Sequence, residues 1–178
     1  SRACSTSWTR ERPTMERELV ALLIDAPATL AFCESLTAGL AAATVAQVPG
    51  ASAVLRGGLV TYATDLKESL AGVPHAVLEA NGPVSPVTAR AMAEGARRVC
   101  GSDYGIALTG VAGPDPQDGH PVGEVWVGIA GPRRSFALAA GGTEPLRGSR
   151  QEIREAAVGA ALSALYNEVR EQTQGEDR

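Results

Sequence analysis

Along this chain the apolar positions change period several times, and each change predicts an element. Over residues 15–25, Leu19, Leu22 and Leu23 share one helical face, with Thr14 at the capping position and Pro27 just past the end. Residues 29–33, Thr29 leading into Leu30-Ala31-Phe32-Cys33, form a mainly apolar run, which predicts a buried strand. The run enters a loop at 34–39 and then a helix of small residues over about 37–47, before Pro49-Gly50. Residues 53–62 are rich in β-formers but contain Gly57-Gly58, a pair that marks a bulge or a close approach to the backbone. Thr64 caps a short helix over 65–70, a helical turn follows near 75–80, and Ser85 caps a longer helix over 86–100. A strand over 104–109 ends in Gly110-Val111-Ala112-Gly113-Pro114. Residues 123–130 alternate as a strand, and 134–140 form its hairpin partner. The last helix runs over 149–171, with Ile153, Ala157, Ala160, Ala161 and Leu165 facing inward, and residues 172–178 read as a disordered tail. The order α-β-α-β-α-α-β-β-β-α predicts an α/β fold. It is a three-layer α/β/α sandwich with a mixed, mostly parallel sheet of about five strands, the final hairpin supplying the antiparallel pairing.

Composition narrows the class. The 178 residues support one domain over 15–171 with a sizeable core, filled by Ala, Val and Leu, since only 4% of residues are aromatic. Net charge is −4, and no basic cluster interleaves with aromatics, so nucleic acid is not an expected partner. No apolar window approaches 18 residues, so no membrane span is expected. Residues 1–14 are polar and Arg-rich, without the apolar core of a secretory signal; they are expected to be a disordered extension ahead of a natural start at Met15. Cys4, Cys33 and Cys100 show no metal-ligand spacing and fit a reduced, cytoplasmic setting.

Candidate chemistry concentrates in Cys33-Glu34-Ser35-Leu36-Thr37-Ala38-Gly39, where a strand turns into a helix. Ligands bind at such junctions in α/β folds. Ser35 is either a helix N-cap or a presented nucleophile. Among sixteen cationic residues Lys67 is the single lysine, and only an amine of that kind can readily shed its proton near neutral pH. Its place early in a helix opposes the helix dipole and is expected to lower its pKa. Lys67 is otherwise a solvent-exposed lysine. A Ser–Lys pair needs no histidine, and His75 reads as a surface residue. Tyr62 is placed to relay a proton, and Thr109 to orient a reacting group. Asp115, Asp118 and His120 match no metal-ligand pattern and read as a solvated loop. Arg147, Arg150 and Arg154 crowd the start of the last helix, where cations oppose the dipole and are expected to face a phosphate or carboxylate.

These residues resemble a known family. Residues 33–39, Gly57-Gly58-Leu59-Val60-Thr61-Tyr62-Ala63-Thr64-Asp65-Leu66-Lys67, Val84-Ser85, Thr109-Gly110-Val111-Ala112-Gly113-Pro114, Pro121-Val122-Gly123 and Gly148-Ser149-Arg150 through Ile153-Arg154 look like the CinA C-terminal domain family. The resemblance covers about residues 15–170, in order. It implies a nicotinamide-nucleotide amidohydrolase (PncC), which hydrolyses the carboxamide of nicotinamide mononucleotide to nicotinate mononucleotide and ammonia in NAD salvage. It further implies a cytoplasmic enzyme with no metal and no cofactor. Ser35, Tyr62, Lys67 and Thr109 become the expected catalytic set. Glu34, Thr37, Gly39, Gly58, Gly110, Gly113, Arg147 and Arg150 become the expected substrate-binding set. The expected partner is a small nucleotide, with neither nucleic acid nor membrane, and the alanine-rich helix faces suit a homo-oligomer. Two departures stand out: Pro116-Gln117-Asp118 replaces a more glycine-rich lid, and His120 stands where a lysine is common. The competing reading is a nucleotide-binding module without catalysis.

Overall fold

The computed structural model of the chain describes residues 12–176. Cys4 and most of the expected N-terminal extension lie outside them. The elements follow in the order α1 (Met15–Asp25), β1 (Leu30–Glu34), α2 (Leu40–Ala46), β2 (Leu55–Val60), α3 (Thr64–Ser69), α4 (His75–Asn81), α5 (Pro86–Cys100), β3 (Tyr104–Gly110), β4 (Val125–Ala130), β5 (Ser135–Ala139) and α6 (Arg150–Glu176). They form the three-layer α/β/α sandwich that the sequence pattern predicts. The sheet order is β2-β1-β3-β4-β5. β1 runs parallel to β2 and β3, while β4 runs antiparallel to both β3 and β5. Four strands therefore share one direction and β4 alone opposes them. The final hairpin is not the only antiparallel pairing, because the chain returns from β3 to β4 through a loop, without the helical crossover that parallel pairing requires.

The alternation of side chains along each strand divides the core in two. Leu30 and Phe32 of β1, Ile106 and Leu108 of β3, and Val127 and Ile129 of β4 face one side, where α1, α2 and α6 cover them with Leu19, Leu23, Ile153, Leu162 and Leu165. The opposite side carries Ala31, Cys33, Ala107 and Ala130, under Met92, Ala93 and Ala96 of α5. That second face is built from small residues because α5 lies almost on the sheet. A Cβ on Gly105 would come within 2.1 Å of Ala93 O, and one on Gly128 within 2.1 Å of Ala89 O. Ser85 caps α5, its Oγ accepting from Thr88 N at 3.0 Å.

At the C-terminal end, α6 continues to Glu176, into the stretch expected to be a disordered tail. Side chains anchor it there: the Tyr104 hydroxyl donates to Gln172, and Arg133 pairs with Glu176. Among the described residues no helix is long and apolar enough to cross a membrane.

The close seating of α5 generates a paired prediction. A Cβ at Gly95 would stand 2.0 Å from Ala71 O, whereas one at Gly159 in α6 would meet nothing within 4 Å. Gly95→Ala is expected to destabilise the domain by about 1–3 kcal/mol through overpacking. Gly159→Ala is expected to stabilise it by about 0.5–1 kcal/mol through helix propensity. Thermal or denaturant unfolding of the two variants checks both signs.

Candidate active site

β1 ends in two side chains that point to opposite layers. Glu34 shares the parity of Leu30 and Phe32, so its carboxylate reaches the side of α2 and accepts from Ala41 N at 2.8 Å and Ala42 N at 3.1 Å. Its expected role in substrate binding is thus corrected: the buried carboxylate closes the N-terminal end of α2, where anions are stabilised. Between strand and helix lies a turn in which Ala38 (φ 48°) and Gly39 (φ 101°) are both left-handed. The turn delays α2 to Leu40, three residues later than the pattern indicates, and makes Gly39 its N-cap. Ser35 is therefore no helix cap. It occupies the first position of the turn, with its N–H donating to Leu108 O at 2.9 Å.

The turn is fixed from α6. Arg154 Nε donates to Leu36 O at 2.9 Å and its Nη2 to Thr37 O at 3.0 Å. The sequence placed this arginine among groups facing a substrate anion. Its fork instead holds two backbone carbonyls next to Ser35.

Lys67 arrives from α3 with its side chain only 1% exposed. Its Nζ stands 2.9 Å from Ser35 Oγ, 2.6 Å from Thr61 O and 3.4 Å from Tyr62 O. Among the described residues no carboxylate lies within ion-pair distance of it. Burial lowers its pKa to about 8. Desolvation is thus the cause, and not the helix dipole that the sequence indicated; α3 has only six residues. Burial also raises the neighbouring Cys33 thiol to about 11, so it brings no negative charge near neutral pH. A neutral Lys67 can donate its two hydrogens to the Thr61 and Tyr62 carbonyls and turn its lone pair to the Ser35 hydroxyl. That is the geometry of a nucleophile beside its base.

Both residues open into a cavity of about 310 Å³. Of the sequence-predicted site residues, the structure brings Ser35, Tyr62, Lys67, Thr109, Gly110, Gly113 and Arg150 to its walls. Arg150 Nη1 donates to Gly113 O at 2.5 Å and its Nη2 to the Tyr62 hydroxyl at 3.0 Å. Tyr62 is 54% exposed and touches Lys67 through its backbone carbonyl, with its phenol turned to Arg150, so it is not in place as a proton relay. Thr109 Oγ1 donates to Pro83 O, which leaves its lone pairs free to accept. Leu36, Val84, Ala112 and the 114–117 segment are among its other walls.

Four other predicted binding residues lie elsewhere. Thr37 is fully buried inside the turn, its hydroxyl without a described partner. Gly39 serves the turn geometry. Gly58 pairs with Phe32 in the sheet, where a Cβ would make only ordinary contacts with Phe32 and Ala42. The Arg147 side chain is 86% exposed and pairs with Glu144. In the 114–122 loop, Gln117 and His120 bridge across a turn and the His120 ring meets Glu124. His75 is a surface residue between Glu68 and Glu79. Among the described residues no cluster of three His, Cys, Asp or Glu could hold a metal ion.

The comparisons agree with this architecture. The chain is 47% identical over 152 residues to a CinA-like protein of Frankia casuarinae, covering 85% of the chain and 34% of that protein. It is 46% identical over 158 residues to a putative competence-damage inducible protein of Streptococcus thermophilus, covering 88% of the chain and 35% of that protein. The chain thus spans about a third of the length of these relatives. Among solved structures, the competence/damage inducible protein CihA of Agrobacterium tumefaciens superposes with a TM-score of 0.77 at 31% identity, covering 88% of this chain and 97% of that one. The competence or damage-inducible protein of Enterobacter asburiae gives a TM-score of 0.83 at 25% identity, covering 89% and 99%. The family model for the CinA C-terminal domain matches residues 12–169. With that match spanning most of its length, this chain belongs to the CinA C-terminal domain family.

Proposed function

We propose that this domain is a serine–lysine amidohydrolase that converts the carboxamide of nicotinamide mononucleotide to the carboxylate, releasing ammonia. The observation that carries the reading is the 2.9 Å contact between Ser35 Oγ and a fully buried Lys67 Nζ. The substrate comes from the family resemblance. A cavity of about 310 Å³ beside Arg150, the wall's other cation, is compatible with a small phosphorylated ligand.

The chemistry follows from the residues. Neutral Lys67 takes the Ser35 proton as the oxygen attacks the carboxamide carbon. The resulting oxyanion needs N–H donors, and the backbone amides of Leu36, Ala112 and Gly113 make no hydrogen bond to a described group. The ammonium of Lys67 then returns its proton to the departing nitrogen, leaving an ester on Ser35 and free ammonia. Water, deprotonated by Lys67, cleaves the ester to the carboxylate and restores the serine. Thr109, able only to accept, suits the N–H groups of a carboxamide.

Ammonia release from nicotinamide mononucleotide is the test. Wild type is expected to turn over, and Ser35→Ala and Lys67→Arg are each expected to lose at least about a thousandfold in kcat, with the fold retained by circular dichroism. Turnover by Ser35→Ala at the wild-type rate rules out the nucleophile. Tight nucleotide binding with no release by wild type would favour a binding module.

The pH profile has a fixed sign. Lys67 works as the neutral amine, and its pKa lies near 8. Below that value the competent fraction falls, so kcat/KM is expected to drop about tenfold per pH unit and to level off above it. A profile flat between about pH 6 and 9 excludes Lys67 as the base.

Arg154 yields a separate expectation. Arg154→Gln removes its two-pronged hold on the turn, and kcat is expected to fall about tenfold or more with KM little changed, because the nucleophile is misplaced while the cavity wall remains. Steady-state kinetics separates the two constants.

A further inference from the structure

A second concavity, of about 680 Å³, lies at the other end of the sheet from Ser35. Its location follows from register: Ala130, in its wall, pairs with Gly105 at the start of β3, whereas Thr109 ends that strand at the cavity described above. One wall is the outer face of α5 with Arg90, Arg97 and Arg98; the other is the β4–β5 turn with Arg133 and Arg134. Five arginines and one glutamate, Glu94, thus line the groove in a chain whose net charge is −4, although Arg98 gives its Nη2 to Ala71 O at 2.9 Å.

Local structure explains only part of this charge. Arg134 is spent on buried Glu168, through Nε at 2.9 Å and Nη2 at 2.5 Å. Arg133 gives Nη2 to Glu176. Arg97 and Arg98 occupy the last turn of α5, where cations complement the dipole. That account does not cover Arg90, one turn into the helix, or Arg133 on the hairpin turn. The acidic member is also occupied, since Glu94 accepts from Arg90 Nε and from the Ser135 hydroxyl. The guanidinium groups keep unspent capacity. Arg90 and Arg97 each use Nε alone, on Glu94 and Ser135 and on Asp103 O respectively, so their terminal nitrogens donate to no described group. The α5 wall thus carries two guanidinium groups with free terminal nitrogens, and the hairpin wall adds the nitrogens that Arg133 does not give to Glu176, donors of the kind that bind phosphate oxygens.

We infer that this groove binds a compact polyphosphate, the anion shared by free polyphosphate and nucleoside triphosphates, away from the Ser35–Lys67 cavity. The groove is wider than a single phosphate needs, and its arginines are spread over both walls. No aromatic side chain lines it to stack on a base, so recognition rests on the phosphates.

Calorimetric titration of the full chain with inorganic tripolyphosphate, and in parallel with ATP, tests the inference. Binding is expected to weaken at least about tenfold on raising salt from about 50 to 200 mM. It should also weaken at least about tenfold in Arg90→Gln/Arg97→Gln and in Arg133→Gln, with thermal unfolding confirming that each variant folds. Arg150→Ala should leave it unchanged. Tighter binding of ATP than of tripolyphosphate assigns the site to nucleotides, and equal binding assigns it to polyphosphate itself. No heat up to about 1 mM ligand at low salt, or affinity unchanged in the arginine variants, overturns the inference.

Discussion

The burial of one ammonium group without a counter-charge is the constraint on which the rest of this site depends. Transferring a lysine amine from water to an interior costs several kcal/mol unless it is neutral or well bonded. The fold meets that cost with oxygen atoms carrying no formal charge: two backbone carbonyls after β2 and the Ser35 hydroxyl. A carboxylate in the same place would stabilise the charged lysine and raise its pKa. The carboxylate next to Ser35 in sequence, Glu34, is turned to the opposite layer and bound by the amides of α2. The alternation of side chains along β1 therefore does electrostatic work. It sends the carboxylate to one face and the hydroxyl to the other, so the lysine remains a weak acid and its conjugate amine a usable base.

The two faces of the sheet divide labour in the same way. The side under α1, α2 and α6 holds the large aliphatic side chains and most of the buried apolar surface. The side under α5 holds alanines, glycines and Cys33. Small residues there let α5 approach the strands, and that approach brings Pro83, just ahead of its N-cap, against Thr109. The same packing buries Lys67 against Thr61, whose hydroxyl lies 3.3 Å from the Cys33 thiol. The composition of the chain, rich in alanine and poor in aromatics, follows from the second face.

Much of this was legible from residue order. The α5 cap at Ser85, the strand over 104–109 and the Ser35–Lys67 pairing come from local signals, namely a capping residue, an apolar run and a lone lysine. What escaped were long-range matters. Arg154 lies 118 residues from Leu36, and nothing in its own helix says that its fork meets backbone carbonyls and not a phosphate. The parity that withdraws Glu34 from the cavity is readable only once β1 is known to end at Glu34, one residue later than the apolar run indicates. Gly39 and Thr37 belong to the turn for a related reason: two left-handed residues delay the helix, and left-handed geometry at Ala38 has no sequence signature. Where α6 ends was misjudged because a polar stretch looks alike in a solvated helix and in a tail until Tyr104 and Arg133 are seen to hold it.

The arrangement also bears on why the Ser35 turn is fastened from so far away. A serine beside a lysine is of use only if its oxygen stays within hydrogen-bond reach while the neighbouring amides keep their direction. In a trans peptide the carbonyl and the N–H point in opposite directions. Holding the Leu36 and Thr37 carbonyls toward α6 therefore directs the following N–H groups away from that helix, and the second of them, at Ala38, closes onto Ser35 O. Arg150 and Arg154 lie one helical turn apart on α6. One reaches the cavity wall at Gly113 and Tyr62, and the other the back of the Ser35 turn. A shift of α6 against the sheet would move both sides of the cavity together. The longest helix of the domain, with its inner face locked by Ile153, Ala157, Ala161 and Leu165, thus sets the spacing between the cavity wall at Arg150 and the Ser35 hydroxyl.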